Sequence, residues 1–488
     1  MRKIFLFFAA LTIAVAANAF TLHFNNEGKD FTITSAVDNL DVLEDGGSVA
    51  VVFDAENKTI NVTFVNATLK SDVNGELLYF KYDESYTDVK VKLIGKNYLI
   101  GEGQWTQPIK IDGPVGGGKV FAHLTFEAGA PGSELNISGK SILIQFNYNS
   151  KMTFGNLLTV NITSTSENQA VFYGSCGNDD SGELWLYCSL NVKTTGNNQI
   201  FMKGGSGPAY LKIDTYGKIR TEGVTVKDNT FVKDDAPYKG DLVYVYSVPI
   251  AIGNAGEVNT YVYPDEECKP AGLKSGTITF DMATYVLTLD NVDLDKSIAA
   301  MIDDFTIYLK GNNIISNSNS KMDPRISVMG YNFKLAGESD ATLTIDGNNV
   351  CDGLFPFAGL EIDNFGKLTI KNANNGISGN GGTNAEDVLK LHETPMDIQS
   401  ANGAIVDFGN IVLLTNYMKW SPAASYNPTT YALEDEEGNI LNDVVYSKVT
   451  AIDQVVNDKV ASGKFIRNGQ LYILRDGKTL TVTGQEVK

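Results

Sequence analysis

An internal duplication constrains this chain more than any other feature. Residues 51–69, VVFDAENKTINVTFVNATL, return at 278–294 as ITFDMATYVLTLDNVDL, with Phe53-Asp54 answering Phe280-Asp281 and Asn66 answering Asn291. Three further matches follow in the same order: 91–103 with 307–319, 135–141 with 343–349, and 154–162 with 365–373. Ordered self-similarity of this kind marks copies of one structural module. It divides the chain into a first β module at 20–245, a second at 246–450 and a tail at 451–488.

A shorter period runs inside each module. In the second, Leu335 and Leu343 are followed 25 residues later by Leu360 and Leu368; in the first, Leu135 is followed by Leu158 after 23. A period in the twenties fits one coil of a solenoid. Strings such as Leu343-Thr344-Ile345 alternate apolar and polar residues as half-buried strands do. Gly and Asn in GNN, DNFG and NNG supply the positive φ angles that corners need. A single coil has two open ends, so coils must stack, with backbone hydrogen bonds running from one to the next. The expected fold is therefore all-β: a right-handed parallel β-helix in two duplicated modules with a small C-terminal β-hairpin domain. Tandem β-sandwiches are the alternative, since residues 121–154 also read as hairpins. Thr450 to Val460 is a candidate helix.

At the N-terminus, Arg2 and Lys3 precede an apolar run, Ile4 to Ala17, that ends in Ala17-Asn18-Ala19. This is the pattern of a signal peptide over 1–19, cleaved between Ala19 and Phe20. Its loss takes the formal charge from −19 to −21. So acidic a chain repels nucleic acid, and no basic patch with interleaved aromatics offsets that. Export permits disulfides, and of the four cysteines Cys176 and Cys188 are spaced to close one local loop.

The strings at 275–294, 305–316, 341–349 and 366–378 resemble secreted bacterial β-helix proteins of the carbohydrate-binding-domain type, which include calcium-dependent polygalacturonate binders. The resemblance is clear over about 275–420 and faint over 50–200. The tail, with Gly469 and Gly477 at two hairpin turns and Gly484 near the end, resembles the C-terminal sorting segment of type IX secretion in Bacteroidota. That resemblance implies recognition by an export machinery and a secreted or outer-membrane-surface location, with the periplasm as alternative. Read from its residues alone, the tail is three short strands around Asn468-Gly469 and Asp476-Gly477, both strong hairpin signals.

Catalytic chemistry finds little support in the pattern. His23, His123 and His392 are the only histidines and lie in unrelated contexts, and the adjacent acids Asp179-Asp180, Asp234-Asp235 and Asp303-Asp304 are unremarkable among 58. A polysaccharide lyase or hydrolase ranks below a non-catalytic carbohydrate binder. Sugar faces stack on exposed aromatic rings, for which Trp105, Trp185 and Trp420 are candidates. Calcium, which would bridge to an acidic polysaccharide, has candidate ligands in Asn178, Asp179, Asp180 and Glu183, though without EF-hand spacing. The expected partner is a polysaccharide or cell-surface glycan. The alternative is a surface adhesin or stalk that binds a protein.

Overall fold

The computed structural model describes residues 21–449 except 28, 34–35, 38–46, 83, 85, 117–119, 167–168, 196, 255, 317–323 and 383–385, together with 462–467, 470–475, 478–481 and 485. The signal-like segment, the Thr450–Val460 stretch and Gly469, Gly477 and Gly484 lie outside the described residues. The chain forms two compact units, Met1–Tyr244 and Val245–Lys488. Both are β-solenoids of stacked parallel coils, and no helix occurs among the described residues. Among the described residues no helix is long and apolar enough to cross a membrane.

In the first unit each coil turns through three sheets. The first sheet stacks Thr59–Val65, Asp88–Ile94, Ala122–Ala128, Ser150–Phe154, Gly182–Leu186 and Ala209–Lys212 in parallel register. The second runs from Thr68–Ser71 to Ser189–Thr194, and the third from Gly75–Lys81 to Gln199–Gly205. Strand periodicity dictates the interior. In Glu134–Gly139, Leu135, Ile137 and Gly139 are buried while Glu134, Asn136 and Ser138 face outward. Phenylalanines fill the inside, with Phe126 and Phe154 stacked at 5.2 Å between centroids. Burying each such ring contributes about 1.5–3 kcal/mol.

Parallel pairing between successive coils excludes the hairpin reading of 121–154 and with it the sandwich alternative. Antiparallel strands appear instead at the ends. Thr21–Asn26 pairs with Lys29–Ile33 and with Gly75–Lys81, and Ser48–Asp54 forms a hairpin with Thr59–Val65. Such strands close an open solenoid end, where unpaired N–H and C=O groups would otherwise invite another chain.

The second unit enters its coils the same way. Leu273–Asp281 and Val286–Leu294 form an antiparallel hairpin, and Val286–Leu294 then pairs in parallel with Thr306–Lys310. Asp443–Lys448 closes the other end, antiparallel to Met396–Val406 and Met418–Ser421. The expected spacing holds where Leu343 faces Leu368. It fails elsewhere: Leu335 faces Ile362 rather than Leu360, and Leu135 faces Val160 rather than Leu158. Two residues of offset keep a side chain on the same face, so alternation alone cannot reveal the shift.

The duplication rests on a shared staple. Asn66 and Asn291 both have positive φ, 47° and 53°. Their Oδ1 atoms accept from Lys96 N–H and Asn312 N–H one coil on. Beside them Asn97 and Asn313 are fully buried, each Oδ1 accepting the backbone N–H that follows the first asparagine, Ala67 or Val292. Each Nδ2 donates to three carbonyls: Ile94, Gly95 and Glu134 in one unit, Lys310, Gly311 and Thr342 in the other. The corner therefore leaves no backbone group unpaired in the interior, where an orphan costs about 1–3 kcal/mol. Beyond the second unit's coils, Ser462–Arg467, Gln470–Arg475 and Lys478–Thr481 form a separate antiparallel sheet.

Candidate functional site

A groove of about 770 Å³ lies on one corner of the second unit. It arises from a bulge: Val328 faces Pro356, but Tyr331 faces Ala358, so the strand Ile326–Gly337 carries one extra residue at the corner. Asp303 and Asp304 hold that corner open. Asp303 Oδ1 accepts the Tyr331 N–H at 2.9 Å, and Asp304 Oδ1 accepts from Asn332 Nδ2 at 2.8 Å. Tyr331 is left 42% exposed, while the next ring but one, Phe333, turns inward against Phe305. The floor is Gly359, at φ 81° and so close to the opposite wall that a methyl there would sit 2.7 Å from the Glu386 carbonyl. No other residue type fits that position without widening the groove.

Parallel register sets a charged row along one wall. Lys334 faces Glu361, which faces Lys390. The Lys334 ammonium contacts Asp363 and, at 3.4 Å, Glu361. The Asp363 hydrogen bond is the main influence that raises its pKa, so it remains a cation and does not act as a proton acceptor near neutrality. His392 Nε2 lies 3.2 Å from Glu361 and its Nδ1 3.7 Å from Asp363. Lys390 is exposed at the mouth. An aromatic face, carboxylates that accept and ammoniums that donate form a surface suited to a hydroxyl-rich ligand.

The residues singled out from the sequence are dispersed. Trp105 is 55% exposed on a turn of the first unit, its N–H bound to Asn74 Oδ1 at 3.1 Å. Trp185 faces outward from Gly182–Leu186 but is occupied: Nε1 donates to Glu183 at 2.8 Å, Lys151 Nζ sits 4.6 Å over the ring, and Tyr187 is 5.6 Å away. Trp420, in the second unit, packs on Tyr446 at 4.5 Å.

The acidic loop is a staple. Asp180 is buried, and its Oδ1 accepts from Gly116 N–H at 2.9 Å and Asn149 Nδ2 at 2.8 Å. Asn178 and Asp179 point to solvent, and Glu183 is engaged with Trp185. Among the described residues no three His, Cys, Asp or Glu side chains converge as a metal site.

The expected bridge between Cys176 and Cys188 is not formed: both are free and buried. Cys176 packs at the head of Gly182–Leu186, and Cys188 lies beyond its end. A strand of that length spans roughly 17 Å, far above the ~7 Å between Cα atoms that a disulfide tolerates. Burial pushes the Cys176 thiol up to about 11, which leaves it unreactive as a nucleophile.

What sequence reasoning missed is the row Lys334, Glu361, Lys390 with Asp363 and His392, residues 27 to 58 positions apart brought together by coil register. The one visible signal was Asp303-Asp304, an acidic pair beside an aromatic strand. No family model, curated protein or solved structure matches the chain.

Proposed function

We propose that this chain is a non-catalytic carbohydrate-binding protein that acts outside the cell, with the corner groove of its second unit as a glycan site. The single observation that carries the reading is that groove. Tyr331 offers a ring face for stacking, worth about 0.5–1.5 kcal/mol in aromatic pairs, above a floor at Gly359 that packs against the Glu386 and Val388 backbone. Asn332 and Lys390 donate, and Glu361 accepts, at the rim. Lysines and carboxylates balance along the wall, so the favoured ligand is a neutral glycan rather than an acidic one. The calcium-bridged alternative loses support because Asp180 and Glu183 are already committed to structural bonds.

The test is retention of the full chain on neutral polysaccharides and on polygalacturonate, with calcium and again with chelator. Expected is chelator-independent retention on a neutral polymer that Tyr331→Ala weakens about tenfold, the equivalent of ~1.4 kcal/mol. Absence of retention on every polymer would sink the reading. A second reading, adhesion to a protein, is favoured by Leu413, Leu414 and Tyr417, which lie exposed together beside His392 and Glu393. Exposed apolar groups in contact with one another mark a surface for a protein partner.

A further inference from the structure

The outward face of the third sheet of the first unit carries a second built surface. Register places one row of side chains straight across five parallel strands: Tyr79 faces Lys110, Lys110 faces Gln145, Gln145 faces Tyr173, and Tyr173 faces Met202. Parallel strands lie about 4.8 Å apart, close to the length of one sugar ring in a linear chain. A polymer laid across the strands therefore meets a new residue of the row with each sugar.

The polar groups on this face are fixed in orientation by one carboxylate. Asp112 only accepts, taking the Tyr79 hydroxyl at 2.7 Å and the Asn147 amide N–H at 2.6 Å. Asn147 must then turn its oxygen to Gln145 Nε2, at 2.9 Å, and Gln145 its oxygen to Gln107 Nε2, at 2.6 Å. The relay ends at Gln107, whose amide oxygen stays available as an acceptor. A preordered amide row pays little entropy on binding a hydroxylated ligand. Lys110 is held by Glu76 at 2.8 Å and lies 3.8 Å from Asp112, and the exposed Lys81 stands opposite Asp112 in register, so two lysines balance two carboxylates on this face.

The stacking surface is Tyr173. Its ring lies flat over Gly204 of the next coil, where a methyl would come within 2.0 Å of its hydroxyl and 2.4 Å of Cζ. Only the absence of a side chain at 204 makes room for the phenol end of this half-buried, outward-facing ring. The Tyr173 hydroxyl makes no hydrogen bond within the described residues. Trp105, immediately before the strand Thr106–Asp112 that carries Gln107, stands exposed at the end of the same face.

We propose that this face is a platform for a linear neutral polysaccharide, with one sugar stacked on Tyr173 and the hydroxyls of its neighbours bonded to Gln145 and Gln107. The inference rests on the reading of the chain as a carbohydrate binder, but on different residues in a different unit. Planar amides beside an outward aromatic ring suit hydroxyls and C–H faces, and the balance of Glu76 and Asp112 against Lys81 and Lys110 favours a neutral ligand over a polyanion.

Affinity electrophoresis of the full chain in gels containing mixed-linkage β-glucan, xylan or glucomannan tests it, with polygalacturonate as the charged control. Wild type should be retarded by at least one neutral polymer. Tyr173→Ala and Gly204→Ala should each weaken that retardation about tenfold, with Tyr331→Ala leaving a measurable remainder. Circular dichroism checks folding, and Gln145→Ala carries the same test should Tyr173→Ala fail to fold. Unchanged retardation of Tyr173→Ala and Gln145→Ala, or no neutral polymer that retards wild type, overturns the platform. Complete loss in Tyr331→Ala also overturns it and leaves the groove as the site. Loss in Tyr173→Ala with no effect of Tyr331→Ala supports the platform and removes the groove.

Discussion

The two units share an entry hairpin and an asparagine staple, yet they fill their interiors differently. The first unit fully buries Phe24, Phe64, Phe80, Phe126, Phe146, Phe154, Phe172, Phe201 and Phe231, whereas the second fully buries only Phe305 and Phe408 among its described phenylalanines, with Phe280, Phe333 and Phe365 nearly so. The second packs mainly Leu and Ile, with the buried Arg325 donating to the Asp346 and Gly347 carbonyls. Coil length follows. In the first unit Thr59 faces Asp88 after 29 residues and Asp88 faces His123 after 35. In the second, Val286 faces Thr306 after 20 and Thr342 faces Lys367 after 25. Wider coils give broad outward sheets on which a flat platform can form. Tighter ones bend sharply, and their bulged corner makes a groove. The two units thus present different surfaces, a flat outward sheet in the first and a bulged corner in the second.

The difference in the cores gives the largest expected effects. Phe126→Ala should destabilise the first unit by about 4 kcal/mol, because the stacked partner Phe154 cannot collapse into the space, and Leu343→Ala the second by about 3 kcal/mol. Chemical denaturation followed by tyrosine and tryptophan fluorescence should show each variant shifting one transition only. A shift of both would mean that the units unfold as one body.

The staple should behave alike in both. Asn97→Ala and Asn313→Ala each orphan a buried N–H and the carbonyls served by Nδ2, so each should cost about 2–3 kcal/mol, measured as a denaturant midpoint. Clearly unequal losses would break the equivalence of the two corners. Smaller again is the effect of Gly204→Ala on stability, about 1 kcal/mol, since Tyr173 can swing outward; thermal melting reads it.

The smallest is a pH dependence confined to the second unit. Asp387 is fully buried; Oδ2 accepts the Asn380 N–H at 2.9 Å, while Oδ1 has no hydrogen-bond partner. Burial raises its pKa against the backbone hydrogen bonds that oppose the shift. The folded chain then holds this proton more tightly than the unfolded chain. The resulting stabilisation is complete below the ordinary carboxylate value and is lost as pH rises through the raised one. Melting of wild type and Asp387→Asn between these limits should differ in slope, wild type falling and the variant staying flatter. Parallel slopes would refute this.

How much was legible follows from which signals are local. Alternation in Leu343–Ile345 and Leu368–Ile370, and the repeated Asn66 and Asn291, are local, and they identified a duplicated solenoid. Corners were partly legible. Asn348, Asn349 and Asn364 take the positive φ expected of GNN and DNFG, whereas in NNG at 374–376 the positive angle moves to Asn372. Trp105 was singled out from its polar loop and is exposed. Trp185 and Trp420 share the same ring chemistry, but Glu183, two residues along the same strand, and Lys151 and Tyr446, from neighbouring strands, already occupy them. His392 looked isolated because its partners, Glu361 and Asp363, arrive from the preceding coil.

By itself the sequence determined that each strand has an inner and an outer face, that two copies of one module exist, and that asparagines turn the corners. These depend on periods of two and on single-residue backbone preferences, which a chain carries wherever it lies. Tertiary structure alone decided which outward residues meet: Gln145 beside Tyr173, Lys334 beside Glu361, Tyr173 over Gly204. Coil lengths vary from 20 to 38 residues. The partner of an outward side chain is fixed by how each corner and interior pack, a sum over distant contacts that no local pattern encodes.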